Sequence, residues 1–223
     1  VWAHHHAGTK RIKGIELNRQ ILDVHRTTLA DYSRDLLANP GVELVHGEGR
    51  TALLRERERF DLVQMSGIDT WTALQSGAYM LAENFLYTQE AIDDMCAVLT
   101  DDGAVQITRF SADHETLRLV ATLRAAHQRF GAGRFADSIV CVPAGTFMTL
   151  LMKRTPFSTA ELSRLDQFLA DGELAVAYHP RLALGGSVEA FIRAENPAQL
   201  VADAPVDLRP VTDDRPYFFN FLR

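Results

Sequence analysis

Hydrophobic and polar positions alternate through residues 11–17 (Arg-Ile-Lys-Gly-Ile-Glu-Leu) and predict a short strand. A single amphipathic run follows through Leu37 until Asn39-Pro40-Gly41 breaks it. Val42–His46 predicts a second strand, Gly47-Glu48-Gly49 a turn, Thr51–Glu58 a brief helix and Phe60–Met65 a third strand. Ser66 to Glu83 has no clean period and contains Gly67 and Gly77, so it reads as a long loop with some helix. Thr88 is placed to cap a helix whose Ala91, Ile92, Met95, Cys96 and Leu99 share one face. Asp101-Asp102-Gly103 predicts a turn and Ala104–Phe110 a fourth strand. His114–Phe130 predicts a helix with Leu117, Val120, Ala121 and Leu123 inward. Ser138–Val142 and Phe147–Lys153 form a hairpin, and a Ser158-Thr159-Ala160-Glu161 capping box opens a helix to Leu169.

Strands alternating with helices predict an α/β fold with a mostly parallel sheet, and the closing hairpin makes its last strand antiparallel. Beyond Leu169 the sequence turns aperiodic and richer in proline. Residues 1–170 therefore read as one α/β domain and 171–223 as a tail packed over it. The 223 residues exceed the usual ~150 per domain but suit one large domain.

Composition narrows the class. Hydrophobic residues at 47% and charged residues at 23% supply a sizeable core and exclude disorder. A net charge of -6 argues against a nucleic-acid partner, which needs a basic face. All but Lys10, Lys13 and Lys153 of the 23 basic residues are arginine, a bias of genome composition rather than of function. Cys96 and Cys141 each lie in an apolar run, which argues against a disulfide framework or a cysteine-built metal site. No apolar run reaches the roughly 18 residues of a membrane span, and no signal peptide is visible. The expectation is a soluble, reduced, cytoplasmic domain.

In open α/β sheets, ligands bind at the carboxyl ends of the strands. The first strand ends in Glu16, Leu17 and Asn18. A carboxylate there either accepts hydrogen bonds from two ribose hydroxyls or is a solvated strand-end charge. Glu48 stands between two glycines. Gly47 and Gly49 let backbone approach a flat ring, and Glu48 can accept an exocyclic amine; an ordinary turn fits equally well. Ser66-Gly67-Ile68-Asp69-Thr70 puts small polar groups at the third strand's end, again as a site or as a plain turn.

Together, Gly14-Ile15-Glu16-Leu17-Asn18, Gly47-Glu48-Gly49-Arg50 and Phe60-Asp61-Leu62-Val63 resemble the class I S-adenosylmethionine-dependent methyltransferase superfamily. Within it the chain looks most like the spermidine/spermine synthase-like branch. Leu86-Tyr87-Thr88-Gln89-Glu90-Ala91 and Val211-Thr212-Asp213-Asp214-Arg215-Pro216-Tyr217-Phe218-Phe219 strengthen that likeness. With Gln64-Met65-Ser66 and Asp69-Thr70-Trp71, the tail resembles a bacterial subgroup fused to membrane helices. The resemblance spans nearly the whole chain.

It implies a Rossmann-like methyltransferase sheet and S-adenosylmethionine, or its decarboxylated form, as cofactor. Glu16 and Asn18 would hold the ribose, Gly47, Glu48 and Gly49 the adenine, and Asp69 would lie beside an amine substrate. Two departures matter. Ser66 stands where aminopropyltransferases carry an aspartate base, so the chain is not expected to be an efficient spermidine synthase. The fold also needs a first strand and a Gly-rich turn before this chain's first strand, but the sequence opens at Val1-Trp2-Ala3, which resembles the helix after that turn, so both are expected to be missing from it. The first strand here then has an open edge, which predicts a homodimer paired along it.

The function expected is a spermidine synthase-like transferase, with a plain methyltransferase as a weaker form. The alternative is a non-catalytic ligand-sensing or partner-binding domain of a larger protein attached at the cytoplasmic face of the inner membrane. His4-His5-His6 read as exposed helix residues rather than metal ligands, since consecutive helix positions do not share a face. His25, His46, His114, His127 and His179 have no partner at ligand spacing. Trp71 and Tyr79 either line a substrate entrance or pack in the core. Asp213-Asp214-Arg215 are expected to form an ion-pair knot that pins the tail.

Overall fold

The computed structural model describes residues 1–68 and 82–223. They form two compact units, Val1–Arg57 and Glu58–Arg223.

In the first unit, helix α1 (Trp2–His6) leads to strand β1 (Ile12–Glu16), helices α2 (Arg19–Arg26) and α3 (Ala30–Ala38), strand β2 (Val42–His46) and helix α4 (Gly49–Arg55). β1 and β2 pair in parallel, from Ile12 opposite Val42 to Glu16 opposite His46. The tight entry to β2 depends on Gly41: a Cβ there would stand 2.2 Å from the Lys10 carbonyl oxygen. Asn39 Oδ1 accepts from Gly41 N (2.8 Å) and fixes that turn.

The single amphipathic run expected after β1 is two helices instead. Thr27 ends α2 by donating its hydroxyl to Asp23 O (2.7 Å), the local competition with the helix that threonine offers. Lys13 pairs with Glu56 (2.8 Å) and Glu43 (3.3 Å), and the bond to Glu56 chiefly raises its pKa. In α1 the His6 ring stacks on Trp2 at 5.6 Å.

The second unit carries a four-stranded sheet in the order β3-β4-β6-β5, formed by β3 (Phe60–Ser66), β4 (Leu99–Phe110), β5 (Ile139–Ala144) and β6 (Phe147–Lys153). β3 and β4 are parallel, and β6 runs antiparallel to both of its neighbours. The last strand is thus antiparallel, as the hairpin requires, but it lies inside the sheet. Asp101-Asp102-Gly103 does not precede β4; it is an excursion within it. Register passes from Phe60–Leu99 to Leu62–Ala104 across those residues. Gly103 is needed there, because a Cβ would stand 2.9 Å from Leu99 Cβ and 3.0 Å from Phe60 O.

Helices α5 (Gln89–Ala97) and α6 (Asp113–Phe130) pack against each other and against β4. Thr88 caps α5, accepting from Ala91 N at 3.1 Å. Ala91, Ile92, Met95 and Cys96 are buried as their spacing predicts, while Leu99 belongs to β4. In α6, Leu119, Val120 and Leu123 are fully buried, Leu117 only half so, and Arg118 is buried beside them. The expected capping box opens α7 (Thr159–Asp171), with Ser158 and Glu161 bonded reciprocally.

Residues beyond 171 are not aperiodic throughout. They include helices α8 (Ser187–Arg193) and α9 (Pro197–Asp203), and α8 buries Val188, Phe191 and Ile192 at helical spacing. The terminal segment is laced to the start of α5: Gln89 N donates to Val211 O (2.8 Å), Asn84 N to Pro216 O (2.7 Å) and Thr88 Oγ1 to Asp213 Oδ1 (2.7 Å). Tyr87, Phe218 and Phe219 form a buried aromatic cluster beneath that seam. The ion-pair knot exists, but its acid is Asp207, which binds Arg215 (3.1 Å) and Arg209 (2.8 Å), while Asp213 serves the α5 cap. Among the described residues, no helix is long and apolar enough to cross a membrane.

Candidate functional site

The carboxyl edge of the β1–β2 pair gathers five of the residues singled out in the sequence. Glu16 ends β1 half-buried, and its Oε1 accepts from Asn18 N at 2.7 Å. Oε2 has no hydrogen-bond partner among the described residues. Asn18 is the N-cap of α2, its side chain accepting from Gln20 N (2.9 Å). The backbone of Gly47 donates to Glu16 O (3.0 Å), so the turn after β2 lies directly beside the end of β1.

Gly47 has no positive φ and no atom within 4 Å of where a Cβ would stand. Neither backbone strain nor crowding requires glycine there; its effect is to leave open space. Gly49 begins α4 rather than completing a turn, because Glu48 caps that helix. Glu48 Oε1 accepts from Arg50 N (2.8 Å) and Oε2 from Thr51 N (2.7 Å). Partial burial pushes the carboxyl up, but the backbone bonds from Thr51 and Arg50 outweigh it and hold the pKa below its ordinary value.

These residues fit a nucleoside. A vicinal diol needs an acceptor, and Glu16 Oε2 is one. A flat base needs clearance, which Gly47 provides. Each Glu48 oxygen keeps a lone pair after capping, because an ionised carboxylate has about four acceptor sites.

Ser66, the last residue of β3, belongs to the second unit. It is exposed, and its hydroxyl has no partner among the described residues. It stands in register with Thr108 on β4. Gly67 (φ 59) then turns the chain out of the strand in a conformation that favours glycine. Asp69, Trp71 and Tyr79 lie outside the described residues.

Two hydroxyls that the sequence reading passed over join Ser66. Thr108 and Thr149 share a hydrogen bond of 2.9 Å across β4 and β6. Each sits in an expected strand, but only the register places them in one row. Buried Arg109, next along β4, bonds Glu115 (3.2 Å) and lies over the Tyr87 and Phe219 rings. The cysteines are unsuited to chemistry: burial pushes the Cys96 thiol up to about 12 and Cys141 higher still. Among the described residues, no three His, Cys, Asp or Glu side chains group to hold a metal.

No protein-family model and no curated protein matches the sequence. Solved structures do. A probable spermidine synthase from Corynebacterium glutamicum superposes with a TM-score of 0.55 at 15% identity, covering 94% of this chain and 66% of that one. Human methyltransferase-like protein 13, in complex with SAH, gives a TM-score of 0.51 at 15% identity, covering 83% of this chain and 78% of that one.

The chain has a spermidine synthase-like methyltransferase fold.

Spermidine synthase from Thermotoga maritima matches at 16% identity and a TM-score of 0.48 over 68% of this chain. The chain spans about half the length of that protein, 48%. In a methyltransferase fold of this Rossmann-like type, the carboxyl ends of parallel strands are the ligand-binding edge. That is the edge on which Glu16, Gly47 and Glu48 lie.

Proposed function

We propose that the chain is a transferase domain that binds S-adenosylmethionine or its decarboxylated form and passes a group to a small-molecule acceptor. One observation carries this reading: the half-buried Glu16 carboxylate keeps Oε2 unengaged beside the open face of Gly47. When bound, the cofactor supplies an electrophilic carbon next to a sulfonium. The chain's part is to bind and orient. Glu16 accepts the ribose hydroxyls, and Gly47 gives the base clearance. Glu48, fixed by its helix cap, offers its remaining lone pairs to the exocyclic amine. Transfer of this kind depends on alignment more than on strong acid–base assistance.

Efficient spermidine synthesis is not part of the reading. Ser66 carries no charge with which to attract an ammonium, and it is too weak a base to take its proton. That same neutrality favours a second reading, a ligand-sensing domain without catalysis. Calorimetric titration of the full-length protein with S-adenosylhomocysteine tests the proposal: saturable one-to-one binding is expected, and its absence would overturn both readings of the nucleoside site.

A further inference from the structure

The second unit presents a row of hydroxyls across three strands. Ser66 is opposite Thr108, and Thr108 is opposite Thr149. Residues in register on neighbouring strands face the same side of a sheet, about 4.8 Å apart. The Thr108–Thr149 bond shows that side directly. The opposite side, carrying Met65, Ile107 and Leu150, is buried. The hydroxyl side is not: Ser66 is exposed, and Thr108 and Thr149 are half-buried.

Two residues further toward the carboxyl edge, on the same side, Phe110 and Phe147 pair in register and stack at 5.1 Å with planes 21° apart. The row is therefore flanked by a flat apolar wall, of which Phe147 remains 37% exposed.

The hydrogen-bond count leaves donors over. Thr108 and Thr149 share one of their two hydroxyl protons, so the other is available. Ser66 adds a second available proton. Among the described residues, the charged groups on this side gather at the far end of β6, where Lys153 pairs with Glu161 (2.6 Å) and Asp102 (3.6 Å). A diamine would bring charges with an ammonium pKa of about 10.4 onto a surface whose described carboxylates, Asp102 and Glu161, are already paired with Lys153.

We propose that this hydroxyl row and its phenylalanine wall form a ligand-binding site of the second unit, and that it selects an uncharged planar ring carrying hydroxyl or carbonyl oxygens rather than a polyamine. The site lies wholly in the second unit and is tested separately from the nucleoside site of the first.

The test uses two probes, 4-hydroxybenzamide and putrescine, titrated by saturation-transfer NMR against the full-length protein. Wild type should bind 4-hydroxybenzamide saturably and putrescine not at all. Thr108→Val with Thr149→Val keeps the β-branched shape of both residues but removes their hydroxyls, and should weaken 4-hydroxybenzamide about tenfold. Thr108→Ser should retain binding, and an unchanged melting temperature confirms that each variant is folded. Unaltered affinity in the double variant, or putrescine binding that depends on Thr108, would overturn the proposal, as would no binding of 4-hydroxybenzamide. Parallel titration with S-adenosylhomocysteine separates the two claims. If it binds and 4-hydroxybenzamide does not, the hydroxyl-row site alone fails. If 4-hydroxybenzamide binds through Thr108 and S-adenosylhomocysteine does not, the transferase reading fails and the hydroxyl-row site stands.

Discussion

Arg118 and Asp207, 89 residues apart in sequence, are buried together with the guanidinium 3.7 Å from the carboxylate. Arg118 also donates to the carbonyl oxygens of Phe218 and Asn220 (both 2.7 Å) and of Tyr217 (3.2 Å), and to that of Asp207 itself. Burial lowers its pKa to about 10, so it stays charged at neutral pH and holds the terminal segment against α6. Truncating one partner of a buried pair strands the other. Arg118→Ala should therefore cost about 3–5 kcal/mol in urea unfolding. Arg118→Lys should recover only part of that, since one ammonium cannot reproduce the planar fork. A loss below about 1 kcal/mol for Arg118→Ala would show that the tail is held elsewhere.

Asp207 makes stability depend on acid. Burial works to raise its pKa, but the bonds from Arg209 and the charges of Arg118 and Arg215 dominate and hold it at about 2, against an ordinary 3.8. A carboxyl depressed in the folded state adds stability that is complete above its unfolded value and disappears as pH falls toward its folded value. The window is pH 4 down to 2, and the shift corresponds to about 2 kcal/mol. Glu161, also held near 2 by Lys153 and Ser158 against partial burial, titrates in the same window. Asp207→Asn should remove the Asp207 share of the acid loss and leave that of Glu161. Parallel acid curves for wild type and variant would contradict this.

The parts of the fold legible in the sequence are those fixed by local chemistry. Thr88 and Ser158 announce their helices because a hydroxyl N-cap is a local device. The third strand and the hairpin are legible from short, mostly apolar runs bounded by turn residues. Arg118 is not, because an isolated charge on a helix reads as solvated until distant carbonyls converge on it. Leu99 is misread for the opposite reason: its helical spacing from Cys96 is real, but the chain has already left the helix. The Asp101-Asp102-Gly103 excursion is invisible because its cause is register with β3. At the site, Glu16 and Glu48 are found by position at strand ends, yet the helix cap that fixes Glu48 follows from Gly49 entering α4, which a Gly-x-Gly pattern disguises. Thr108 and Thr149 become a pair only across strands.

Glu48 has two roles that substitutions can separate. Glu48→Ala removes the α4 cap and should cost about 1 kcal/mol of stability as well as affinity for S-adenosylhomocysteine. Glu48→Ser restores a capping oxygen at that position, so stability should return while the nucleoside affinity stays reduced. Full recovery of affinity in Glu48→Ser would make the residue a cap and nothing more.

Aminopropyl transfer should be near background. General-base assistance is worth about 10²–10⁴ in rate, and Ser66 supplies none. A radiolabel assay with decarboxylated S-adenosylmethionine and putrescine measures this, and Ser66→Asp should raise the rate if the site is a diverged transferase. Wild-type turnover of about 1 s⁻¹, within the ordinary enzyme range, would refute the assignment and point to Asp69 as the base.

The nucleoside site is tested most directly at Glu16. Two hydrogen bonds from ribose hydroxyls to a charged acceptor are worth roughly 1.5–3 kcal/mol each, and the lower value for one of them is about tenfold in affinity. Calorimetry of wild type and Glu16→Ala with S-adenosylhomocysteine should show at least that loss, with a melting temperature little changed, because among the described residues the Glu16 carboxylate bonds only the exposed backbone of Asn18. Equal affinity in the two proteins would contradict the ribose assignment and with it the proposed cofactor site.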